Sequence, residues 1–326
     1  MKKRAIISLL VTCIVVSFIL PALATEIGVN AGPSAALHAA AKAAADPGAE
    51  DDPEPDATDS AEPEPSSFIY LDGVPQFVEY ELRGGTTYVT VSSFVAMADP
   101  QAVVEEENGV VTVSSARVER VMDAEGNPTD VVWETLSMTV STKVDYITAN
   151  DRYLYAKNSI TTVNGCVAVP IRRLALVFNL DVSYDSAAKA VLLTHAEGRG
   201  SYIEPGDSYY DADALYWLSH IINAESGDQI LEGKIAVGNV VMNRVNSPTF
   251  PNTIYAVLHQ PNQFSPIANG TIRLTPNSQS VLAAKLVMDG AVVMPTALYF
   301  NMVGLRSWAA LNRPYVTTIG GHAFYA

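Results

Sequence analysis

Residues 218–245 read LSHIINAESGDQILEGKIAVGNVVMNRV and decide how the C-terminal part of the chain is interpreted. At 100° per residue, one face of the first predicted helix is formed by Leu218, Ile221, Ile222 and Glu225. Burial of a carboxylate among apolar side chains raises its pKa, and a raised pKa keeps a general acid protonated near neutral pH. The pattern also fits a Glu that ends a helix in water, so periodicity alone leaves both interpretations open.

A second predicted helix follows the polar corner Ser226-Gly227-Asp228. Gly238 leaves room on this helix for the close approach of a neighbour. The apolar face of the second helix is formed by Ile235, Val241, Met242 and Val245.

The ends of the other helices are predicted from capping residues. Either Asp211 or Asp213 is expected to cap the first helix. Thr275-Pro276 offers a capping hydroxyl and a first-turn proline to a third helix, which is predicted to run to Met288 and to end at Asp289-Gly290. A short hairpin is predicted near residues 298–300.

Several ordered blocks of sequence carry a family resemblance. They are AE at 224–225, EG at 232–233, IAV at 235–237, NRV at 243–245, FPNT at 250–253, QFSP at 263–266, ALYF at 297–300, SW at 307–308 and IGGHAFY at 319–325. In this order they resemble the SleB-type cell wall hydrolases, the peptidoglycan-cleaving enzymes first associated with the spore cortex. The resemblance runs from about Ala212 to the last residue, and it implies a mainly helical, lysozyme-like catalytic domain over residues 209–326.

The resemblance also implies an activity. It favours a lytic transglycosylase that cleaves the glycan strand between N-acetylmuramic acid and N-acetylglucosamine, with Glu225 as the single catalytic acid. A two-carboxylate glycosidase needs a second acid ~5–9 Å away, and Asp289 is a weak candidate at a helix end. Attack by water instead would make the enzyme an N-acetylmuramidase, and the sequence does not decide between the two.

Sugar-binding clefts combine amide groups with aromatic faces, because sugars present both hydroxyl groups and C–H patches. Plain core packing is the alternative for Phe264, and a structural histidine is the alternative for His322. The predicted substrate-binding residues, within or beside the matched blocks, are Gln263, Phe264, Ser265, Tyr299, Asn301, Trp308 and His322.

Three further residues are predicted to support the site. Asp228 would raise the pKa of Glu225 by like-charge repulsion if both face one way. Glu232 is either a helix N-terminal charge or a residue that supports the site, and Asn243 is expected to tie the second helix to a loop. Residues 226–229 read Ser-Gly-Asp-Gln, where many relatives have small and basic residues that end in Glu.

The N-terminal part of the chain is interpreted as an export signal and a linker. Lys2-Lys3-Arg4, an apolar run over 5–20 and Ala22-Leu23-Ala24 predict a cleaved signal peptide over residues 1–24, with a retained anchor as the alternative. Residues 25–67 are rich in acids, alanine and proline and are predicted to be a disordered linker. The chain is therefore expected to be secreted, on the cell wall or the spore, and free of the membrane once the signal is cleaved.

Residues 68–196 show short β-branched runs separated by turn dipeptides, which predict an α+β, strand-rich module. The pattern of residues 88–113 recurs at 166–193, so the module is expected to be internally duplicated. Val163-Asn164-Gly165 and the segment 169–174 resemble the module named after the copper amine oxidase N-terminal domain. By elimination the module is expected to bind cell wall polymer or to act as a spacer, and a glycine-rich hinge over 197–208 should connect it to the catalytic domain.

Other classes of function are disfavoured. The net charge of −15 and the lack of a basic, aromatic face argue against nucleic acid as a partner. The five histidines are scattered, so no metal site or cofactor is expected, which disfavours a zinc-dependent wall amidase. After signal cleavage a single Cys166 remains, which is expected to be a buried structural residue. A non-catalytic wall-binding protein stays an alternative, and the expected partner is the peptidoglycan glycan strand.

Overall fold

A computed structural model describes residues 69–122, 127–196 and 198–326. The predicted signal peptide (1–24) and acidic linker (25–67) lie outside this part of the chain. Among the residues described, no helix has the length and apolar character needed to cross a membrane.

The first part of the described chain is rich in strands. Its strands are β1 (Ile69–Leu71), β2 (Val74–Gln76), β3 (Tyr80–Arg83), β4 (Thr86–Thr90), β5 (Val103–Glu107), β6 (Val110–Met122), β7 (Pro128–Ser141), β8 (Tyr146–Ala149), β9 (Arg152–Tyr155), β10 (Thr161–Val163), β11 (Cys166–Pro170), β12 (Leu180–Asp185) and β13 (Ala190–His195). Two short helices lie between them, α1 (Val91–Ala98) and α2 (Ile171–Val177). We call residues 69–203 the strand-rich region.

These strands form three sheets with the orders β12-β13-β1-β2, β10-β11-β4-β3 and β5-β6-β7-β8-β9. The first strand closes the region on itself, because β1 pairs in parallel with β13, with Ile69 opposite Val191. Phe94 of α1 and Leu174 of α2 are fully buried in the shared core. The β-branched runs in the sequence therefore supply both the strands and the core between them.

The element order repeats within this region. The hairpin β3–β4, helix α1 and hairpin β5–β6 correspond in order to β10–β11, α2 and β12–β13. Strands β4 and β11 pair antiparallel, with buried Val89 opposite buried Val169. The duplication itself and the resemblance to the copper amine oxidase module stay predictions.

The segment predicted as a hinge, 197–208, is held against the strand-rich region where the structure describes it. Tyr202 and Ile203 are buried in the core of that region. The Asn179 amide donates hydrogen bonds to the carbonyl groups of Gly200 and Tyr202, at 2.7 and 2.6 Å. The glycines predicted a hinge here, and two buried side chains and these bonds hold residues 200–203 of it against the strand-rich region.

The second part of the described chain is mainly helical and ends in a small sheet. Its helices are α3 (Gly206–Tyr209), α4 (Ala212–Ser226), α5 (Leu231–Val245), α6 (Ile254–Leu258), α7 (Ser265–Asn269), a 3₁₀ turn (Thr271–Arg273), α8 (Ser278–Met288) and α9 (Trp308–Asn312). Its strands are β14 (Tyr299–Met302), β15 (Tyr315–Ile319) and β16 (His322–Tyr325).

The ends of the helices differ in part from the sequence predictions. Asp211 caps α4 and accepts a hydrogen bond from the Ala214 N–H at 2.7 Å. The third predicted helix, α8, begins at Ser278 with Asn277 as its cap, so the prediction of a start at Thr275-Pro276 was wrong. Asn277 is preferred because its side chain both accepts from the Ser280 N–H and donates to the Gly227 carbonyl. Asp289 and Gly290 end α8 as predicted.

The strand near residues 298–300 belongs to a sheet rather than to a local hairpin. Strand β14 pairs antiparallel with β16, with Phe300 opposite Phe324, and β16 lies in the centre of the order β14-β16-β15. All four residues of β16 are buried, which explains its central place. The hairpin in this domain is formed by β15 and β16 around Gly320-Gly321.

Helices α4, α5 and α8 form the core of this domain. Leu218, Ile221 and Ile222 of α4 are fully buried there. A Cβ atom at Gly238 of α5 would lie 2.9 Å from a Val287 methyl group and 3.0 Å from the Ile222 Cδ1. Only glycine at 238 lets the three helices pack this closely, as the sequence predicted.

Asp289, at the end of α8, joins the two parts of the described chain. The Arg152 Nε donates to its carboxylate at 2.8 Å, the Tyr153 N–H donates at 3.0 Å, and the Tyr210 hydroxyl donates as well. The carboxylate is fully buried. Asp289 is thus a structural anchor, which removes it as a second catalytic acid.

Candidate active site

Glu225 lies in the last turn of α4, immediately before the polar corner. Its side chain is half-buried, and burial raises its pKa to about 7 because the ionised form loses water. Within the described residues no hydrogen bond or ion pair reaches this carboxyl group. A carboxyl group with a pKa near 7 and no partner can both release and take up a proton at neutral pH, which is what general acid–base catalysis requires.

Lys234 of α5 is hydrogen-bonded to the polar corner at residues 226–228. Its side chain is fully buried, and its Nζ donates a hydrogen bond to the Ser226 carbonyl at 2.6 Å. Burial lowers the pKa of Lys234, and the nearby Asp228 carboxylate opposes that shift. No local pattern in the sequence indicated this role, because a lysine in a helical pattern does not reveal its burial.

Gln229 ties the corner to the C-terminal hairpin. Its Oε1 accepts a hydrogen bond from the Gly321 N–H at 2.7 Å. A Cβ atom at Gly320, which has φ +56°, would lie only 2.5 Å from this oxygen. Gln229 therefore fixes the turn that precedes His322.

His322 is buried beside the corner, and its Nδ1 has no hydrogen-bond partner among the described residues. Burial lowers its pKa and the Asp228 carboxylate opposes this, so Asp228 lies near His322. The pKa of Glu225, in contrast, is raised by burial, and repulsion from Asp228 is not among its causes. The predicted action of Asp228 on Glu225 is thus replaced by an action on His322 and Lys234.

Tyr299, Asn301 and Trp308 lie together on β14 and at the start of α9. The rings of Tyr299 and Trp308 are 5.7 Å apart, and the Asn301 Oδ1 accepts from the Ser307 hydroxyl at 2.6 Å. The Arg313 guanidinium lies 5.0 Å from the ring centre of Tyr299 and 5.1 Å from that of Trp308. Trp308 is 58% exposed. We call Tyr299, Asn301, Trp308 and Arg313 the aromatic surface. Its aromatic faces are the kind of surface on which a sugar ring can stack.

The profile of the cell wall hydrolase family matches residues 228–325, beginning three residues after Glu225. Over 129 residues the chain is 32% identical to the spore cortex-lytic enzyme of Bacillus cereus, which covers 39% of this chain and 49% of that protein. Over 108 residues it is 33% identical to the spore cortex-lytic enzyme of Bacillus subtilis, which covers 33% of this chain and 35% of that protein.

Among solved structures, the chain is similar to the catalytic domain of the germination-specific lytic transglycosylase SleB from Bacillus anthracis. The two are 31% identical, with 36% of this chain and 97% of that chain covered and a TM-score of 0.34. The C-terminal part of this chain, residues 228–325, thus carries a cell wall hydrolase domain. The chain spans about half the length, or less, of the curated relatives that it matches.

Two residues of the hydrolase domain, Asn243 and Arg244, hold the chain that leads into β14. The Asn243 amide donates to the carbonyl groups of Met294 and Ala297, both at 2.9 Å. The buried Arg244 donates to the Leu298 carbonyl at 2.7 Å. Burial lowers the pKa of Arg244 to about 10, with Tyr299 opposing the shift.

The remaining predicted site residues of the hydrolase domain do not form one cluster in the structure. Phe264 is 5% exposed and packs in the helical core, so the alternative interpretation of core packing describes it. Gln263 and Ser265, its neighbours, are exposed at the start of α7. Glu232 forms an ion pair with Lys157 of the strand-rich region at 2.6 Å and supports the domain from outside the corner.

Asn239 and Arg313 were missed from the sequence. The Asn239 amide donates to the Ala291 carbonyl at 2.7 Å, and its Oδ1 accepts from the N–H groups of Val293 and Met294. A buried Asn on the apolar side of α5 was the available signal for this role. Arg313 gave no such signal, because its contact with two rings depends on the fold of β14 and α9.

Proposed function

We propose that this chain is an exported peptidoglycan hydrolase that cleaves the glycan strand between N-acetylmuramic acid and N-acetylglucosamine. Within that class we propose a lytic transglycosylase in which Glu225 is the single catalytic acid. The matched relatives carry the names spore cortex-lytic enzyme and germination-specific lytic transglycosylase, which makes spore cortex the first substrate to test.

The observation that carries the proposal is the state of the Glu225 carboxyl group. It has no partner in the described structure, it ends a helix at a corner, and burial raises its pKa to about 7. A carboxyl group kept for structure would be paired, because an unpaired one destabilises the fold. Asp289, the weak candidate for a second acid, and Glu232 are both held in ion pairs to the strand-rich region.

The proposed reaction needs only one carboxyl group. Protonated Glu225 donates its proton to the glycosidic oxygen, and the bond from that oxygen to C1 of N-acetylmuramic acid breaks. The resulting carboxylate then accepts the proton of the C6 hydroxyl group while that oxygen bonds to C1. The products are a 1,6-anhydro-muramic end and a free hydroxyl group on N-acetylglucosamine, and the acid is regenerated.

The aromatic surface supports a sugar substrate. The exposed Trp308 and the ring of Tyr299 provide faces for C–H groups, while Arg313 provides hydrogen-bond donors beside them. The Asn301 amide donates to the Met302 carbonyl and is proposed to hold the loop next to these rings. Gln263 and Ser265 are proposed to contact the glycan from the start of α7, where both are exposed. His322 is proposed to line the corner as a neutral residue, since burial lowers its pKa.

The test is mass spectrometry of the fragments released from purified sacculi and from spore cortex. The chain as it stands and its Glu225→Gln variant would be compared, with Asp213→Asn, an exposed carboxylate in the first turn of the same helix, as the matched control. We expect anhydro-muramic ends from the unchanged chain and from the control, and no fragments from Glu225→Gln. Reducing muramic ends would assign the second step to water and make the enzyme an N-acetylmuramidase. Fragments that persist in Glu225→Gln would refute the role of Glu225.

The same experiment separates the other two classes of function. A wall amidase or endopeptidase would release peptides rather than glycan ends, and a non-catalytic wall-binding protein would release nothing from either substrate. Export is tested independently by N-terminal sequencing of the protein from the culture medium and the wall, where a start at Thr25 is expected.

A further inference from the structure

A groove in the strand-rich region collects positive charge in a chain whose net charge is −15. It lies between β4, the turn after β9 and the start of α2. We call it the basic groove. Three cations, Lys157, Arg172 and Arg173, line it together with Thr86, Asn158 and Ser159, and none of its described lining residues is acidic.

Two of its cations lack an acidic partner. Arg173 is half-buried, and no hydrogen bond or ion pair to it occurs among the described residues. Burial lowers the pKa of this guanidinium, which marks its loss of water. Within the described part of the chain, the only hydrogen bond of Arg172 goes to the Val182 carbonyl, at 3.4 Å. A guanidinium that loses water without gaining an acceptor is unfavourable, and an anion that binds in the groove would supply the acceptor.

The basic groove adjoins the hydrolase domain. Lys157, at its edge, places its Nζ 2.6 Å from the Glu232 carboxylate in the first turn of α5. Helix α5 is the helix that follows the corner with Glu225. The pair also neutralises Lys157, so Arg172 and Arg173 are the groove's cations without a carboxylate partner in the described structure.

We propose that the basic groove binds carboxylate groups on the stem peptides of peptidoglycan, with Arg172 and Arg173 as the contacting groups. The proposal rests on the proposed function, because the stem peptides are attached to the same N-acetylmuramic acid that the corner would engage. A guanidinium binds carboxylate and phosphate in the same two-bond geometry. Stem peptides are favoured over phosphate polymers because they enter together with the glycan strand.

The experiment measures binding rather than cleavage. The full chain with Glu225→Gln, which should leave the polymer intact, would be sedimented with purified Gram-positive sacculi in three forms. One form is untreated, one has its carboxyl groups converted to amides, and one has its phosphate polymers removed. The groove variant adds Arg172→Gln and Arg173→Gln. The control adds Lys143→Gln and Arg199→Gln, which remove the same charge from exposed positions outside the groove.

We expect the groove variant to bind untreated and phosphate-free sacculi about tenfold more weakly than its parent, the loss that one or two charged hydrogen bonds bring. On amidated sacculi the parent and the groove variant should bind alike. A deficit that vanishes when phosphate polymers are removed would assign the groove to phosphate and overturn the proposal. Equal losses in groove and control variants, or none in the groove variant, would overturn it too. Cleavage at Glu225 is scored separately, so either proposal can fail alone.

Discussion

Asp99 in the strand-rich region and Glu225 in the hydrolase domain are both carboxyl groups removed from water, yet their states are opposite. Burial acts to raise the pKa of Asp99, but hydrogen bonds from Arg117, Ser115 and Tyr202 outweigh it and lower the pKa. The Arg117 guanidinium lies 2.7 Å from its Oδ1. Glu225 has burial without partners, and its pKa rises to about 7. Burial with partners is therefore typical of a structural carboxyl group, whereas burial without a partner supports the proposal that Glu225 is the catalytic acid.

Glu225→Gln is expected to have the largest effect on activity. Loss of the proton donor should reduce glycan cleavage by roughly 10²–10⁴-fold. Thermal stability should not fall, and near pH 7 it should rise, because a neutral amide replaces a carboxyl group whose ionised form is destabilised by burial. The measurement is kcat/KM on sacculi beside calorimetry of the same samples. If the variant instead loses activity because it unfolds, Glu225 has a structural role like that of Asp99.

The pH dependence sharpens the same contrast. Cleavage that starts from protonated Glu225 should fall as pH rises through about 7. The raised pKa also means that the folded state holds this proton longer than the unfolded state does. Its contribution to stability is therefore present below the unfolded value of 4.5 and is lost as pH rises to about 7. Calorimetry over pH 4–8 should show this slope in the unchanged chain and not in Glu225→Gln.

Asp99→Asn should affect stability instead of activity. It leaves Arg117 without its buried partner, at a cost of roughly 3 kcal/mol in the free energy of unfolding. Because the pKa of Asp99 is lowered, its contribution in the unchanged chain is present above the unfolded value of 3.8 and is lost as pH falls below it. Denaturation in urea at pH 7 and at pH 3 measures both effects. Glu81→Gln, which weakens an exposed pair with Arg83, is the control and should change stability far less.

Lys234→Met tests whether the corner must be held in place. The substitution removes the donor to the Ser226 carbonyl and keeps a similar apolar volume. A small displacement of Glu225 should reduce kcat by about tenfold with KM little changed. Lys234→Gln keeps a donor, so partial recovery of kcat is expected from it. Equal activity in all three proteins would show that the corner is rigid without this bond.

The sequence predicted the helices of the hydrolase domain well because their apolar faces repeat every turn, as at Ile221, Ile222 and Gly238. The sequence predicted less well those features that depend on contacts between residues far apart in the chain. The start of α8 moved from Thr275 to Asn277 because Asn277 also bonds Gly227, which lies fifty residues away. The expected hinge over 197–208 is anchored by Tyr202, whose partners lie far away in the sequence. Within the candidate site, Glu225 stood out on its apolar face, while Lys234 and Arg313 depend on neighbours that no local pattern reveals.

The smallest effect is expected at the contact between the two regions nearest the corner. Lys157 and Glu232 form an ion pair at 2.6 Å, but both side chains are more than one third exposed. Lys157→Ala should therefore lower the free energy of unfolding by less than about 1 kcal/mol. Arg152→Ala is the matched comparison, because it strips the fully buried Asp289 of its partner and should cost roughly 3–5 kcal/mol. If Lys157→Ala reduces glycan cleavage while stability holds, the strand-rich region influences the corner through Glu232. If activity is unchanged as well, helix α5, which follows Glu225, needs no support from the strand-rich region through Lys157. The buried contacts of Asp289 then remain the stronger link between the two regions.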